Sequence, residues 1–227
     1  MKLLRKILLP LNLVYFIVTY IRNKLFDWNL LKSVSFDFPV IGVGNLSVGG
    51  TGKTPLVEYL IKTLKLDYKI AVLSRGYGRK SNGFVLSQID TDVKIIGDEP
   101  FQIKNKFPNI EVAVDNNRQN GISRLIKLDT NPDVIILDDS FQHRKVNPGL
   151  SILLTPFDSL FCDDILLPAG NLRESIIGSS RAQIIIVTKC PSILTDIEKK
   201  KIYQKLKINN QQRLFYSSIV YDKTIYS

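Results

Sequence analysis

The chain has 227 residues, 44% of them hydrophobic and 23% charged, which suits a folded protein of one large α/β domain and excludes a fibrous or disordered chain. Its 31 basic and 21 acidic residues leave a net charge of +10, which calls for an anionic partner: nucleic acid, a membrane surface or a phosphorylated substrate. Two cysteines without a CxxC pair, beside a single histidine, argue against a zinc site or a disulfide framework.

Residues 1–34 form an apolar arm with a net charge of +5, from Lys2, Arg5, Lys6, Arg22, Lys24 and Lys32 against Asp27. Its uncharged stretch, Ile7 to Ile21, is shorter than the roughly 20 residues that cross a bilayer, and Pro10 and Asn12 interrupt it. No small-residue cleavage site follows, so a secretory signal is excluded. The arm is expected to be a helix lying in or on a membrane surface, its basic ends meeting anionic headgroups. The competing readings are a helix packed into the core and a true membrane-spanning helix.

From residue 35 to 227 the pattern is that of a second unit, in which short apolar runs alternate with helical periodicity. "FPVIGVG" predicts a strand and "PLVEYLIKTLKL" a helix. "KIAVLSRGYGR" predicts a strand entering a glycine-rich turn, and "DEPFQIKNKF" a helix. "IEVAVD" reads as a strand, "NRQNGISRLIKL" as a helix, and "PDVIILDDS" as an apolar strand ending in two aspartates. "SILLTP" and "AQIIIVTKC" are further strands, and "TDIEKKKIYQKLKI" a helix capped by Thr195 or Asp196. Strands apolar on both faces and alternating with helices predict a mostly parallel sheet covered on both sides.

"GNLSVGGTGKTP" supplies the chemistry. Strand, glycine-rich turn and helix is the setting of a phosphate-binding loop, with Ser47 where the pattern's first glycine belongs. Ser47, Val48, Gly49, Gly50, Thr51, Gly52, Lys53 and Thr54 are the candidate nucleotide-binding residues. The glycines let backbone amides approach phosphate oxygens, Lys53 neutralises the β and γ phosphates, and the Thr54 hydroxyl holds magnesium. Asp138 and Asp139, ending "VIILDDS", are the candidate carboxylates for that ion. ATP and Mg2+ are thus the expected cofactors, and the fold is a P-loop NTPase-like α/β sheet behind an apolar basic N-terminal helix.

With "SRGYGR", "IIGDEP", "NNRQNG", "LDDSFQHR" and "LLPAGNLRE" added in that order, residues 1 to about 190 resemble the tetraacyldisaccharide 4′-kinase (lipid A 4′-kinase) family. The resemblance implies transfer of the ATP γ-phosphate to the 4′-hydroxyl of a tetraacylated glucosamine disaccharide 1-phosphate, at the cytoplasmic face of the bacterial inner membrane. An acylated acceptor stays in the bilayer, which accounts for the arm, and two anionic substrates account for the basic excess. Asp98, in the "GDEP" position, is implied as general base or orienting carboxylate, with Lys53 and Asp139 as its catalytic companions; its rival role is a helix cap. Tyr77, Arg118, Gln142, His143 and Glu174 are candidate substrate or orienting residues, with a surface ion pair or a satisfied core histidine as the plainer readings.

The chain departs from the family in lacking the later strand-and-helix segment, which carries a histidine pair and a "TEKD"-like motif. The expectation is a fragment or a shortened protein of doubtful activity, with apolar surface exposed at its C-terminal end. The alternative is a membrane-associated ATPase or GTPase of regulatory or partitioning type. Val48 stands where partitioning ATPases carry an extra lysine, and no aspartate follows "TKC" where a guanine-reading segment needs one. Without aromatic–basic interleaving or a DNA-binding motif, no nucleic-acid partner is expected. No stable protein partner is inferred.

Overall fold

The computed structural model describes residues 9–220; Lys2, Arg5 and Lys6 of the basic arm lie outside them. Helix α1 (Leu9–Asp27) comes first, with Pro10 in its first turn, where the missing N–H costs no helical bond. Strand β1 (Val40–Asn45) leads through the loop into α2 (Lys53–Leu64), and β2 (Ile70–Ser74) follows. A two-residue strand β3 (Val85–Leu86) and a short helix α3 (Val93–Ile96) precede α4 (Asp98–Lys106). Then come β4 (Glu111–Val114), α5 (Arg118–Leu125), β5 (Val134–Leu137) and β6 (Leu150–Pro156). The described chain closes with β7 (Ile184–Cys190), α6 (Asp196–Leu206) and β8 (Arg213–Ser218).

The strands form one eight-stranded sheet in the order β3-β4-β2-β5-β1-β6-β7-β8, parallel except where β3 meets β4. Every strand and long helix expected from the apolar pattern is present. The capping prediction resolves to Thr195, whose hydroxyl accepts from the Glu198 amide while Glu198 reaches back to the Thr195 amide. Unforeseen are β3, α3 and β8. The first two are too short to show a period, and β8 ("RLFYSS") is a half-exposed edge strand with no continuous apolar run.

Why this sheet is stable follows from the pleat. In β5, Ile136 faces one side and packs with Val57 and Ile61 of α2, with Ile103 of α4 and with Phe107 just past its end. Ile135 and Leu137 face the other side, against Ile122 and Leu125 of α5. Each such fully buried side chain contributes roughly 1.5–3 kcal/mol. Beyond β6, Leu153, Ile185 and Val187 pack with Ile202 and Leu206 of α6. Apolar surface is left open near the far edge, where Phe215 is 49% and Ile193 83% exposed.

Helix α1 is amphipathic in the inverted sense. Asn12, Tyr15, Thr19 and Asn23 face the body, whereas Leu11, Leu13, Val14, Ile17, Val18 and Ile21 are 46–62% exposed. The Tyr15 hydroxyl donates to the Arg173 carbonyl (2.8 Å), and Arg22 donates to the Gln142 carbonyl (2.7 Å). The arm is therefore seated on the same body, by polar contacts, and turns its apolar face outward. A core-packing role holds only for its end, where Phe26 is buried. No helix among the described residues is long and apolar enough to cross a membrane.

Candidate functional site

Because β1 lies between β5 and β6, the turn leaving β1 and the acids leaving β5 emerge side by side at the carboxyl end of the sheet. A concavity of about 700 Å³ between Lys65 and Pro132 lies at the opposite end of the strands and plays no part here.

The loop turns on Gly49 (φ 109°) and Gly52 (φ 90°), backbone conformations that an L side chain resists. Ser47 does without a glycine because its φ is negative, and it bridges to Leu172 in antiparallel fashion. The Val48 amide donates to the Asn171 carbonyl (2.8 Å) and the Thr51 amide to the Gly49 carbonyl (3.0 Å). Two of the amides expected to wrap a phosphate are thus engaged within the chain. Helix α2 starts at Lys53, so the first-turn amides at Lys53 and Thr54 have no helical acceptor and add to a positive field. Thr51 is buried, and its hydroxyl oxygen has no partner.

Lys53 Nζ lies 3.3 Å from Asn45 Oδ1 and 3.5 Å from Asp139 Oδ1. Arg173 takes the same carboxylate from its other side, its two terminal nitrogens 2.9 and 3.0 Å from the Asp139 oxygens. The same guanidinium reaches Asn45 Oδ1 and the Ser47 carbonyl. Burial pushes the Asp139 carboxyl up, but the Arg173 hydrogen bonds and the Lys53 charge outweigh it and hold it below its usual value. Asp139 also sits at φ 46°, a left-handed conformation that aspartate tolerates better than most residues.

Asp138 is in the opposite situation. It is 1% exposed, its Oδ2 accepts one long bond from Ser74 (3.4 Å), and its Oδ1 has no partner. Burial, then the nearby Glu99 and Asp139 charges, raise its pKa to about 7, against the pull of Lys53 and Arg118. A buried carboxylate oxygen left unpaired is costly, and a divalent cation satisfies it. The set fits magnesium rather than zinc: no group of three His, Cys, Asp or Glu side chains stands ready among the described residues, and magnesium takes only one or two carboxylates beside phosphate oxygens.

Asp98 opens α4 and is exposed. The cap position belongs to Gly97, and no side-chain cap bond is made, so the rival reading of Asp98 as a helix cap does not hold. Gly97 (φ 87°) admits no side chain: a Cβ there would lie 2.6 Å from the Tyr77 carbonyl. The glycine turn at Gly76–Gly78 therefore backs the turn that presents Asp98. The Tyr77 side chain is 87% exposed and is not brought to the acids.

Arg118 is buried, with its terminal nitrogens on the carbonyls of Asp115 (2.8 Å) and Asp138 (2.9 Å) and its Nε unpaired. Burial lowers its pKa to about 10. The expected surface ion pair is absent because its partners are backbone carbonyls. Gln142 donates to the Asn45 carbonyl (2.8 Å) and to Glu174 (3.2 Å), which stitches the acid loop to the end of β1. Burial, then Arg118 and Arg75, lower the pKa of His143 to about 4. Glu174 is 3% exposed, and its oxygens accept from Arg181 (2.9 Å), Asn23 (3.0 Å) and Gln142. So enclosed, the carboxylate ties α1, the acid loop and Arg181 together.

Three residues of the site escaped the reading of the sequence. Arg173 stands beside Glu174 in "AGNLRE", Asn45 stands inside the quoted loop, and Glu99 follows Asp98 in "GDEP". Motif position alone did not tell which neighbour points inward.

The fold and this site define a protein of the phosphate-loop NTPase class, with a lysine, a paired acid and a helix N-terminus gathered at one sheet end. A family description of tetraacyldisaccharide-1-P 4′-kinases matches residues 4–222, and the chain belongs to that family. It is 56% identical over 226 residues to a tetraacyldisaccharide 4′-kinase of Flavobacterium johnsoniae, covering 100% of this chain and 66% of that one. It is 53% identical over 219 residues to the corresponding kinase of Bacteroides thetaiotaomicron, covering 96% of this chain and 58% of that one. The chain thus spans about three fifths to two thirds of the length of these relatives. Among solved structures it resembles LpxK from Aquifex aeolicus in complex with ATP, at 33% identity and a TM-score of 0.75, over 99% of this chain and 85% of that one. Membership of the kinase family disfavours the alternative of a partitioning ATPase or GTPase.

Proposed function

We propose that this chain carries the nucleotide and catalytic site of a kinase. It would transfer the γ-phosphate of ATP to the 4′-hydroxyl of a tetraacylated glucosamine disaccharide 1-phosphate at the cytoplasmic face of the inner membrane. The observation that supports it most is the clamp at the loop: Lys53 held 3.5 Å from Asp139, beside the unpaired oxygen of buried Asp138.

In this reading the Ser47–Thr54 loop amides other than those of Val48 and Thr51, with the start of α2, hold the triphosphate, and Lys53 turns from Asp139 toward the β and γ phosphates. Asp138 and the Thr54 hydroxyl, with Asp139 beside them, would hold magnesium. Magnesium, when bound, neutralises charge on the phosphate oxygens. Asp139 and Arg173 together keep Lys53 in reach. Asp98 accepts the 4′-hydroxyl proton as that oxygen bonds to the γ phosphorus, and the bond to the bridging oxygen breaks with its electrons leaving on ADP. General-base help of this kind is worth about 10² to 10⁴-fold. Arg118, Gln142 and His143 line or brace the acceptor side.

The outward apolar face of α1 supports attachment to the bilayer surface, where an acylated acceptor resides. Detergent-dispersed acylated disaccharide 1-phosphate, incubated with the protein and Mg-ATP, is expected to yield a bisphosphorylated lipid. ADP release with the lipid unchanged would favour an ATPase instead.

A further inference from the structure

The run "TKC" at the end of β7 has no guanine-reading aspartate behind it, yet the fold carries it to the phosphate loop. Thr188 is buried, and its hydroxyl donates to the Thr51 carbonyl at 2.8 Å. The register of β7 on β8 shifts between Val187 and Cys190. Lys189 sits in that shift at φ 57°, a left-handed conformation uncommon for any residue but glycine. A bulge of this kind re-aims a side chain, and such backbone strain gathers at ligand sites. Here the side chain is aimed at the loop: Lys189 Nζ lies 3.9 Å from where a Cβ on Gly50 would stand.

The charge on that ammonium is uncancelled. Lys189 lines a hollow of about 210 Å³ with Ser47–Thr51, Asp158 and Asp164, and among the described residues it has no ion-pair or hydrogen-bond partner. Asp164 is occupied by the Ile165 amide and the Asn171 side chain, both at 2.8 Å. Asp158 is exposed and forms no pair with Lys189. Lys53, by contrast, shares its charge with Asp139. The Val48 and Thr51 amides are already engaged within the chain, so the loop offers fewer donors to phosphate oxygens than its length suggests. A second cation makes up that deficit with a charge-assisted hydrogen bond. We propose that Lys189 binds the polyphosphate of the nucleotide directly, as the loop's second cation, while Thr188 holds the loop in place. The proposal rests on the nucleotide reading of the loop given above and adds a residue to it.

The test is calorimetric binding of Mg-ATP and of magnesium tripolyphosphate to the full chain and to single substitutions. Lys189→Gly removes the ammonium at a φ that glycine adopts freely, so its urea midpoint should match or exceed that of the wild type. Its Kd for both probes should rise about ten- to hundredfold, as loss of a charge-assisted hydrogen bond does. Lys189→Arg keeps the charge and should recover most of that loss. Lys207 ends α6 at φ 52°, outside the hollow. Lys207→Gly therefore makes the same exchange of charge and backbone and should leave both Kd values unchanged. An unchanged Kd in Lys189→Gly overturns the proposal. A loss on ATP that tripolyphosphate does not share also overturns it, and would move Lys189 to the nucleoside. An equal loss in Lys207→Gly overturns it too, by reducing the effect to overall charge. A wild-type chain that binds neither probe brings down the nucleotide reading as well, whereas the other three outcomes leave that reading standing.

Discussion

Arg173 closes a two-point fork on Asp139, with nitrogens 2.9 and 3.0 Å from the two carboxylate oxygens, while Lys53 approaches the same group from the loop at 3.5 Å. One carboxylate is thus shared between the loop lysine and a residue more than a hundred positions away in the chain. Lysine at position 173 keeps the charge but cannot form the planar fork. Arg173→Lys is therefore expected to lower kcat by about 10² to 10³-fold, as loss of one preorganised donor does. The check is steady-state kinetics with Mg-ATP and the acylated acceptor; an unchanged kcat would remove Arg173 from the site.

Asp138 predicts a trade of function against stability. Its pKa rises from 3.8 to about 7 in the fold, so between those values the folded state keeps a proton the unfolded chain has lost, and stability falls as pH rises. His143 works the other way: its pKa drops from 6.5 to about 4, so across that window the unfolded chain binds the extra proton and stability rises with pH. The two slopes oppose each other in the wild-type protein. Asp138→Asn removes the first, leaving urea stability that climbs from about pH 4 to 6.5, and at pH 8 the variant gains ~1–3 kcal/mol. The same variant should lose stabilisation by Mg-ATP.

Asp98 and Gly97 should separate cleanly, although they are neighbours. Asp98 is exposed and caps nothing, so Asp98→Asn should leave stability within about 0.5 kcal/mol yet cut turnover by about 10² to 10⁴-fold. Gly97→Ala strains a φ of 87° and meets the Tyr77 carbonyl, so it should cost ~1–3 kcal/mol of stability. Chemical denaturation together with kcat for both variants tests the pair.

Helix α1 predicts a surface effect. Val14 and Ile17 are 58% and 46% exposed on its outward face. Val14→Asp/Ile17→Asp should abolish vesicle association while the melting temperature in detergent-free buffer stays put, because neither side chain is buried against the body. A matching fall in melting temperature would return the helix to the core.

The sequence alone determined the parts that rest on local chemistry. Glycines at positions 49, 50 and 52 ahead of Lys53 specify a phosphate loop, because only such a backbone turns its amides inward. Apolar runs such as "VIIL" specify buried parallel strands, because both faces of each strand must be covered. The acids at 138 and 139 were legible for the same reason, as the end of one such run. Only the tertiary structure decided which neighbours act together. Placing β1 between β5 and β6 brings Asn45, Asp139 and Arg173 to one point, and encloses Glu174 behind Arg181 and Asn23. Side chains far apart in the chain meet there through sheet order, and spacing along a single strand or helix carries no record of that order.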